Sequence, residues 1–209
     1  DSTGFLFQAR NEELWFVHGH LGNLFRIRGG KHEAIAQFAG NVVSAMYEDR
    51  EGSIWIGTLV GLHRLRDLNV TLHTERAGPS LNWVYSILQA RDGAIWVGTW
   101  GGGVNKYEHG RFTPYRYADG LPSDHITSIQ EDRSGRLWVG TTSGIRYFHD
   151  GRFEPIDDKD RLLQGSVWAI HHDRAGNIWF GTDHGLVKMT DGRFIRYSSH
   201  DGLSHDQAK

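Results

Sequence analysis

Cysteine is absent from the 209 residues. This excludes disulfides and thiolate chemistry and leaves any zinc site to His and carboxylate ligands. Proline is scarce, at 4, so the chain is not a low-complexity sequence. No apolar run approaches the roughly 18 residues that a membrane-spanning helix needs. Neither sign of charge dominates: 23 Lys and Arg stand against 25 Asp and Glu, a net of −2. There is therefore no basic excess to hold nucleic acid or an anionic membrane. The chain opens on Asp1 rather than Met and shows no signal peptide, which fits a processed chain or a piece of a longer one.

Glycine is abundant, at 27, and tryptophan is frequent, at 8. Five of the tryptophans fall on a near-constant period. Ile54-Trp55-Ile56-Gly57-Thr58 returns as Ile95 to Thr99, Leu137 to Thr141 and Ile178 to Thr182, with a worn copy at Leu14-Trp15-Phe16-Val17-His18. Trp15, Trp55, Trp96, Trp138 and Trp179 are spaced by 40, 41, 42 and 41 residues. A period of roughly 40–45 residues with four short strands per copy is the sequence sign of a β-propeller blade.

Each copy divides into four strands. The first (Val43 to Met46, Val84 to Ile87, Ile126 to Ile129, Val167 to Ile170) is apolar or small at nearly every position. That predicts a strand buried on both faces. Thr3 to Leu6 takes this place in the first copy. An Asp-x-x-Gly turn follows at Asp49, Asp132 and Asp173, and Arg91-Asp92-Gly93 replaces it in the third copy. The Asp bonds the turn's own amides and the Gly takes the positive φ. The first copy has Arg10-Asn11-Glu12-Glu13 instead and is expected to be less regular. The second strand carries the Trp, whose burial of about 150–250 Å² is worth about 4–6 kcal/mol at most. It is read as the packing between adjacent blades. The Gly two residues later leaves room for that ring or for a neighbouring backbone. A third, alternating strand starts at Gly61, Gly103, Gly144 or Gly185, and a mixed-polarity edge strand completes the copy.

The expected fold is all-β, a β-propeller of about five four-stranded blades forming one domain over 1–209. The approximate blades are 1–40, 41–81, 82–123, 124–164 and 165–209. Either five blades close a ring alone, or the chain is a segment of a larger propeller and associates with further blades or with copies of itself.

These residues resemble the two-component regulator propeller repeat, whose pattern is close to I-x-x-I-x-E-D-x-x-G-x-L-W-I-G-T-x-x-G-L-x-R-Y. The match is nearly complete in copies three to five and weaker in copy one. The resemblance implies the extracytoplasmic, periplasmic sensor part of a bacterial membrane receptor that ends in a kinase, cyclase or DNA-binding output module. The chain shows neither a membrane helix nor such a module. The D-x-x-G-x-[IL]-W stretch is also similar to the Asp-box of sialidases, a structural turn. The G-x-L-W-F pattern is similar to streptogramin lyases, whose catalytic His and metal-binding acid find no assignable counterpart.

Recurring residues belong to the scaffold, so function is sought where the copies differ. On the face of the strand-two-to-three turns and blade-to-blade links these are Trp100, Trp83, His125, Asp183, His184 and His20, with His18 beside the last. Aromatic faces next to hydrogen-bonding groups suit a sugar or another small polar ligand. The competing view has Trp83 packed under its own loop and the His residues solvated. Thirteen His residues invite a metal site, but none pair with helical i, i+4 spacing. His171 and His172, adjacent on a strand, point to opposite faces. No metal, cofactor or catalytic residue is assigned. The expected function is a non-catalytic sensor or ligand-binding module for a small polar or carbohydrate ligand. The alternatives are a propeller enzyme of the lyase or glycosidase type and a protein-interaction platform.

Overall fold

The computed structural model describes residues 6–18, 23–35, 38, 41–66, 69–73, 83–159 and 161–208, with backbone alone at 18, 69 and 70. Among them run twenty strands in five antiparallel four-stranded sheets, one per repeat. The first sheet is β1 (Leu6–Gln8), β2 (Leu14–His18), β3 (Asn23–Arg28) and β4 (Lys31–Ala34). The second is β5 (Val43–Glu48), β6 (Ile54–Thr58), β7 (Gly61–Arg66) and β8 (Asn69–His73). The third is β9 (Val84–Gln89), β10 (Ile95–Thr99), β11 (Val104–Glu108) and β12 (Arg111–Tyr115). The fourth is β13 (Ile126–Glu131), β14 (Leu137–Thr141), β15 (Gly144–His149) and β16 (Arg152–Glu154). The fifth is β17 (Val167–His172), β18 (Ile178–Thr182), β19 (Gly185–Thr190) and β20 (Arg193–Tyr197). Strands follow sequence order in every sheet, the up-and-down meander of a propeller blade. The chain packs as two units, 1–87 and 88–209, and the boundary falls inside β9.

The turn between the first two strands is built as its residues dictate. Asp49 Oδ1 accepts from the Ser53 amide at 2.7 Å, Asp132 Oδ1 from Arg136 at 3.0 Å and Asp173 Oδ1 from Asn177 at 2.8 Å. The other carboxylate oxygen takes the indole N–H of the repeat's Trp. Trp55 and Trp138 donate at 2.8 Å and Trp179 at 2.9 Å. One Asp thus closes the hairpin and fixes the ring. In the first repeat Ala9 stands in the Asp position, and the Trp15 indole nitrogen is buried without a partner. The turn backbone survives nonetheless. Ala9 and Glu12 make the same two amide bonds as Asp49 and Gly52, with Glu12 held at φ 66°. The expected irregularity is confined to side chains.

Within residues 1–87, Trp15 and Leu24 of the first sheet pack on Val43, Ile54 and Ile56 of the second. Within 88–209, Trp138 and Ile145 of the fourth pack on Val167, Ile170 and Phe180 of the fifth, the Trp138 and Phe180 rings 5.9 Å apart. Trp15, Trp96 and Trp138 are therefore covered by the following repeat. The Gly of the Gly-Thr pair admits that neighbour: a Cβ on Gly140 would lie 2.7 Å from the Val167 carbonyl oxygen. The hydroxyls of Ser44 and Thr127 donate to the carbonyls of Val84 and Val167, one repeat on. A cation lies over each Trp ring: Arg26, Arg64, Lys106 and Lys188 from the directly opposite residue of the third strand. In the fourth repeat Tyr147 takes that opposite place and Arg136 supplies the charge.

One expectation is corrected. The first strands are not buried on both faces; β9 and β17 carry exposed or half-buried residues at most positions. The strand buried throughout is the Trp strand, with every residue of β6, β10 and β14 buried. The reason is position. The first strand is an edge of its sheet, whereas the Trp strand has a hydrogen-bonded neighbour on each side. Thr3 to Phe5 of the first copy lie outside the described residues.

The link between repeats is a structured element. After β12, Asp119 caps a 3₁₀ turn at Tyr117–Asp119, and Asp124 Oδ1 accepts from the Tyr117 amide at 2.8 Å. After β20 the same construction recurs: Asp201 caps Ser199–Asp201, and Asp206 Oδ1 accepts from the Ser199 amide at 2.5 Å. The Ala208 amide then bonds the Thr182 carbonyl at 3.0 Å.

Candidate functional site

In repeats two to five the turn between the second and third strands is closed by a Thr. Thr58, Thr99, Thr141 and Thr182 are wholly buried and donate to the carbonyls of Gly61, Gly103, Gly144 and Gly185 at 2.8–2.9 Å. The residue after that Thr is free to vary and is Leu59, Trp100, Thr142 or Asp183.

Trp100 and His125 are brought together. Their rings meet edge to face with centroids 4.8 Å apart, and the two residues form a single antiparallel bridge. Asp124 sets this geometry twice. Its carboxylate caps the 3₁₀ turn, and its carbonyl accepts the amides of Gly101 at 3.0 Å and Gly103 at 2.9 Å. Gly101 and Gly103 take φ of 93° and 70°, which a β-carbon would oppose. Ser123 Oγ accepts the His125 amide at 3.1 Å, lies 3.4 Å from His125 Nδ1 and is 3.1 Å from Thr142 Oγ1. The result is a half-buried indole and imidazole on a polar rim of hydroxyls. That arrangement offers stacking and hydrogen bonding to one small polar ligand.

Asp183 serves a different set. Its Oδ1 accepts from the Trp168 indole at 2.6 Å and from Gln207 Nε2 at 3.1 Å. The Trp168 bond is the main reason its carboxyl is lowered to about 2. Asp183 is therefore an occupied clamp on Trp168. His184 is exposed, its amide bonded to Thr182 Oγ1 at 3.1 Å. Trp83, at φ 54°, is 47% exposed and donates its amide to the Leu59 carbonyl at 3.2 Å. His20 lies outside the described residues, as does the His18 side chain.

The sequence reasoning missed three participants. It places Trp168 in an inner strand and gives it no further role, although no other repeat has an aromatic residue at its place except Tyr85. Ser123 and Thr142 carried no signal beyond being non-repeated hydroxyls. Among the described residues no group of three His, Asp or Glu side chains is placed to hold a metal ion. No helix among them is long and apolar enough to cross a membrane.

The family model of the two component regulator propeller matches residues 37–59, 78–101, 120–143 and 161–184, which is once for each repeat from the second to the fifth. No curated protein matches the chain. Among solved structures, the chain is similar to the extracellular domain of a hybrid two component system from B. thetaiotaomicron. The identity is 27% over 97% of this chain and 29% of that one, with a TM-score of 0.84. Virginiamycin B lyase from Staphylococcus aureus shares the fold, at 16% identity over 95% of this chain and 70% of that one and a TM-score of 0.67. So does PorZ, a surface component of the type-IX secretion system of Porphyromonas gingivalis, at 16% identity over 97% and 35% and a TM-score of 0.71. The chain spans less than a third of the two component system's extracellular domain. With its Asp-turn, Trp-Gly-Thr strand and capped link repeated in register, this chain is built of β-propeller blades, and its second to fifth repeats each match the two component regulator propeller model.

Proposed function

We propose that the chain is a non-catalytic, extracytoplasmic sensing module, a single propeller domain that binds a small polar or carbohydrate ligand on the face carrying Trp100 and His125. The observation behind this reading is the Trp100–His125 pair. The fold does not require it, since Leu59 and Thr142 serve equally well after the buried Thr. Yet Trp100 is held in place by two glycine amides and by a hydroxyl-bonded imidazole. Rigid aromatic surface beside fixed polar groups is what a sugar ring needs. The likeness to an extracellular domain of a two component system supports a sensing role and an extracytoplasmic setting. Further repeats of a longer protein are its expected neighbours.

The test is titration calorimetry of the chain with a panel of neutral oligosaccharides, repeated on Trp100→Ala and Trp83→Ala. Binding weakened by about tenfold or more in Trp100→Ala supports the site. Binding unchanged in both variants removes it.

A further inference from the structure

We propose that a second site, the cleft formed by the β14–β15 turn and residues 155–158 and 163–165, binds a small zwitterion of the amino-acid or short-peptide class. Arg146 takes the carboxylate and Asp158 faces the ammonium. The cleft has a volume of about 580 Å³ and lies wholly within residues 142–165, a size suited to such a ligand.

The scaffold requires neither charge. Arg146 sits opposite Val139 in the β14–β15 ladder. The same register place, opposite Ile56, Val97 and Phe180, holds His63, Asn105 and Val187. Val187 is wholly buried in an apolar cluster, so an uncharged side chain satisfies the fold there. Arg146 is half-buried and donates one hydrogen bond, from Nη1 to the Ile145 carbonyl at 2.7 Å. Burial holds its pKa below the usual range, and Glu154 acts on it only through space. The remaining guanidinium donors, a planar fork matched to a carboxylate, are unspent.

Asp158 lines the same cleft. Its Oδ2 accepts from the Leu163 amide at 2.7 Å, while Oδ1 is out of contact with water and has no partner. Two partly desolvated opposite charges that share a cleft without pairing are costly. A ligand that carries both complementary charges relieves both once the Asp158 carboxylate turns to bring Oδ1 to the cleft. Pro155, Ile156 and Leu163 supply an apolar wall for its side chain.

The test is calorimetry with L-leucine and L-leucyl-L-leucine against N-acetyl-L-leucine, which lacks the ammonium, and L-leucinamide, which lacks the carboxylate. The expected result is binding of leucine or dileucine, with both blocked analogues weaker by about tenfold or more. Arg146→Val, which copies the fifth repeat, and Asp158→Asn are each expected to weaken binding by about tenfold or more while thermal unfolding stays cooperative. If Arg146→Val does not fold, Arg146→Gln takes its place. Absence of binding by both zwitterions, equal binding of the analogues, or unchanged binding in the variants overturns the proposal. Trp100→Ala is expected to leave this binding intact, so failure here and failure of the Trp100–His125 site are separate results.

Discussion

The indole nitrogen of Trp138 donates a 2.8 Å hydrogen bond to Oδ2 of Asp132, six residues earlier, while Oδ1 of that carboxylate accepts the amides of Ser134 and Arg136. A single buried side chain thus closes the hairpin and aims the ring at the next repeat. These bonds hold the Asp132 carboxyl below its ordinary value despite burial that opposes it. Asp132→Ala is expected to cost about 2–4 kcal/mol, because it strands a buried indole N–H and two amides. Urea unfolding of the variant checks this. A loss below about 1 kcal/mol would show that the bond is incidental.

The converse substitution should stabilise. Ala9 occupies the Asp position of the first repeat and leaves the Trp15 indole nitrogen buried and unpaired. Ala9→Asp is expected to gain about 1 kcal/mol, read as a higher urea midpoint at unchanged slope.

The Gly-Thr pair admits the following repeat, and this too is measurable. A Cβ at Gly140 would come within 2.7 Å of the Val167 carbonyl oxygen and 3.1 Å of Thr127 Oγ1. Gly140→Ala is expected to destabilise by about 1–3 kcal/mol through overpacking. A neutral or stabilising outcome in thermal unfolding would contradict the close approach.

A pH effect follows from His63. It is 5% exposed, lies 3.3 Å from Thr58 Oγ1 and meets the Phe38 ring edge to face at 4.7 Å. Burial, followed by the nearby His73, lowers its pKa to about 4. The unfolded chain, with a His pKa of about 6.5, therefore binds more protons than the folded chain between those values. Stability is full above about pH 6.5 and falls as pH drops toward 4. His63→Asn, which copies the third repeat, should flatten the stability profile across that window. An unchanged profile would show that His63 is not the responsible group.

The enzyme alternative makes its own prediction. An enzyme of the lyase type on this chain would be read as metal-dependent turnover abolished by His184→Ala. The sensing account expects His184→Ala to leave ligand binding by Trp100 and His125 unchanged, because His184 is exposed and bonds only through its amide. Turnover assays with and without chelator, on both proteins, decide between them.

Strand order and turn chemistry were legible in the sequence because they are local and periodic. Alternation, Asp-x-x-Gly and Trp at fixed offsets specify hairpins without knowledge of anything distant. The Asp132–Trp138 bond was only half visible. The loss of Asp from repeats one and three, where the Trp persists, hints at the pairing without establishing it. The cations over the rings were missed because Arg64 reaches Trp55 across a ladder, not along the chain. The burial of the first strands was overestimated because an edge strand and a central strand can share one apolar composition. At the site, Trp100 and His125 were each recognised as departures from the repeat. Their contact depends on the Asp124 carbonyl gathering two glycine amides, which composition does not reveal. Asp183 was recognised as a departure too, but its carboxylate is committed to Trp168, fifteen residues earlier.

The central claim is that repeated tryptophans are scaffold and non-repeated ones are functional. The most direct measurement is the indole N–H spectrum by NMR, which carries one resonance for each of the 8 tryptophans, recorded as neutral oligosaccharides are titrated in. The account predicts that the Trp100 resonance shifts while those of Trp55, Trp138 and Trp179, tied to their aspartates, stay fixed. A spectrum in which the aspartate-bonded indoles move and Trp100 does not would contradict it.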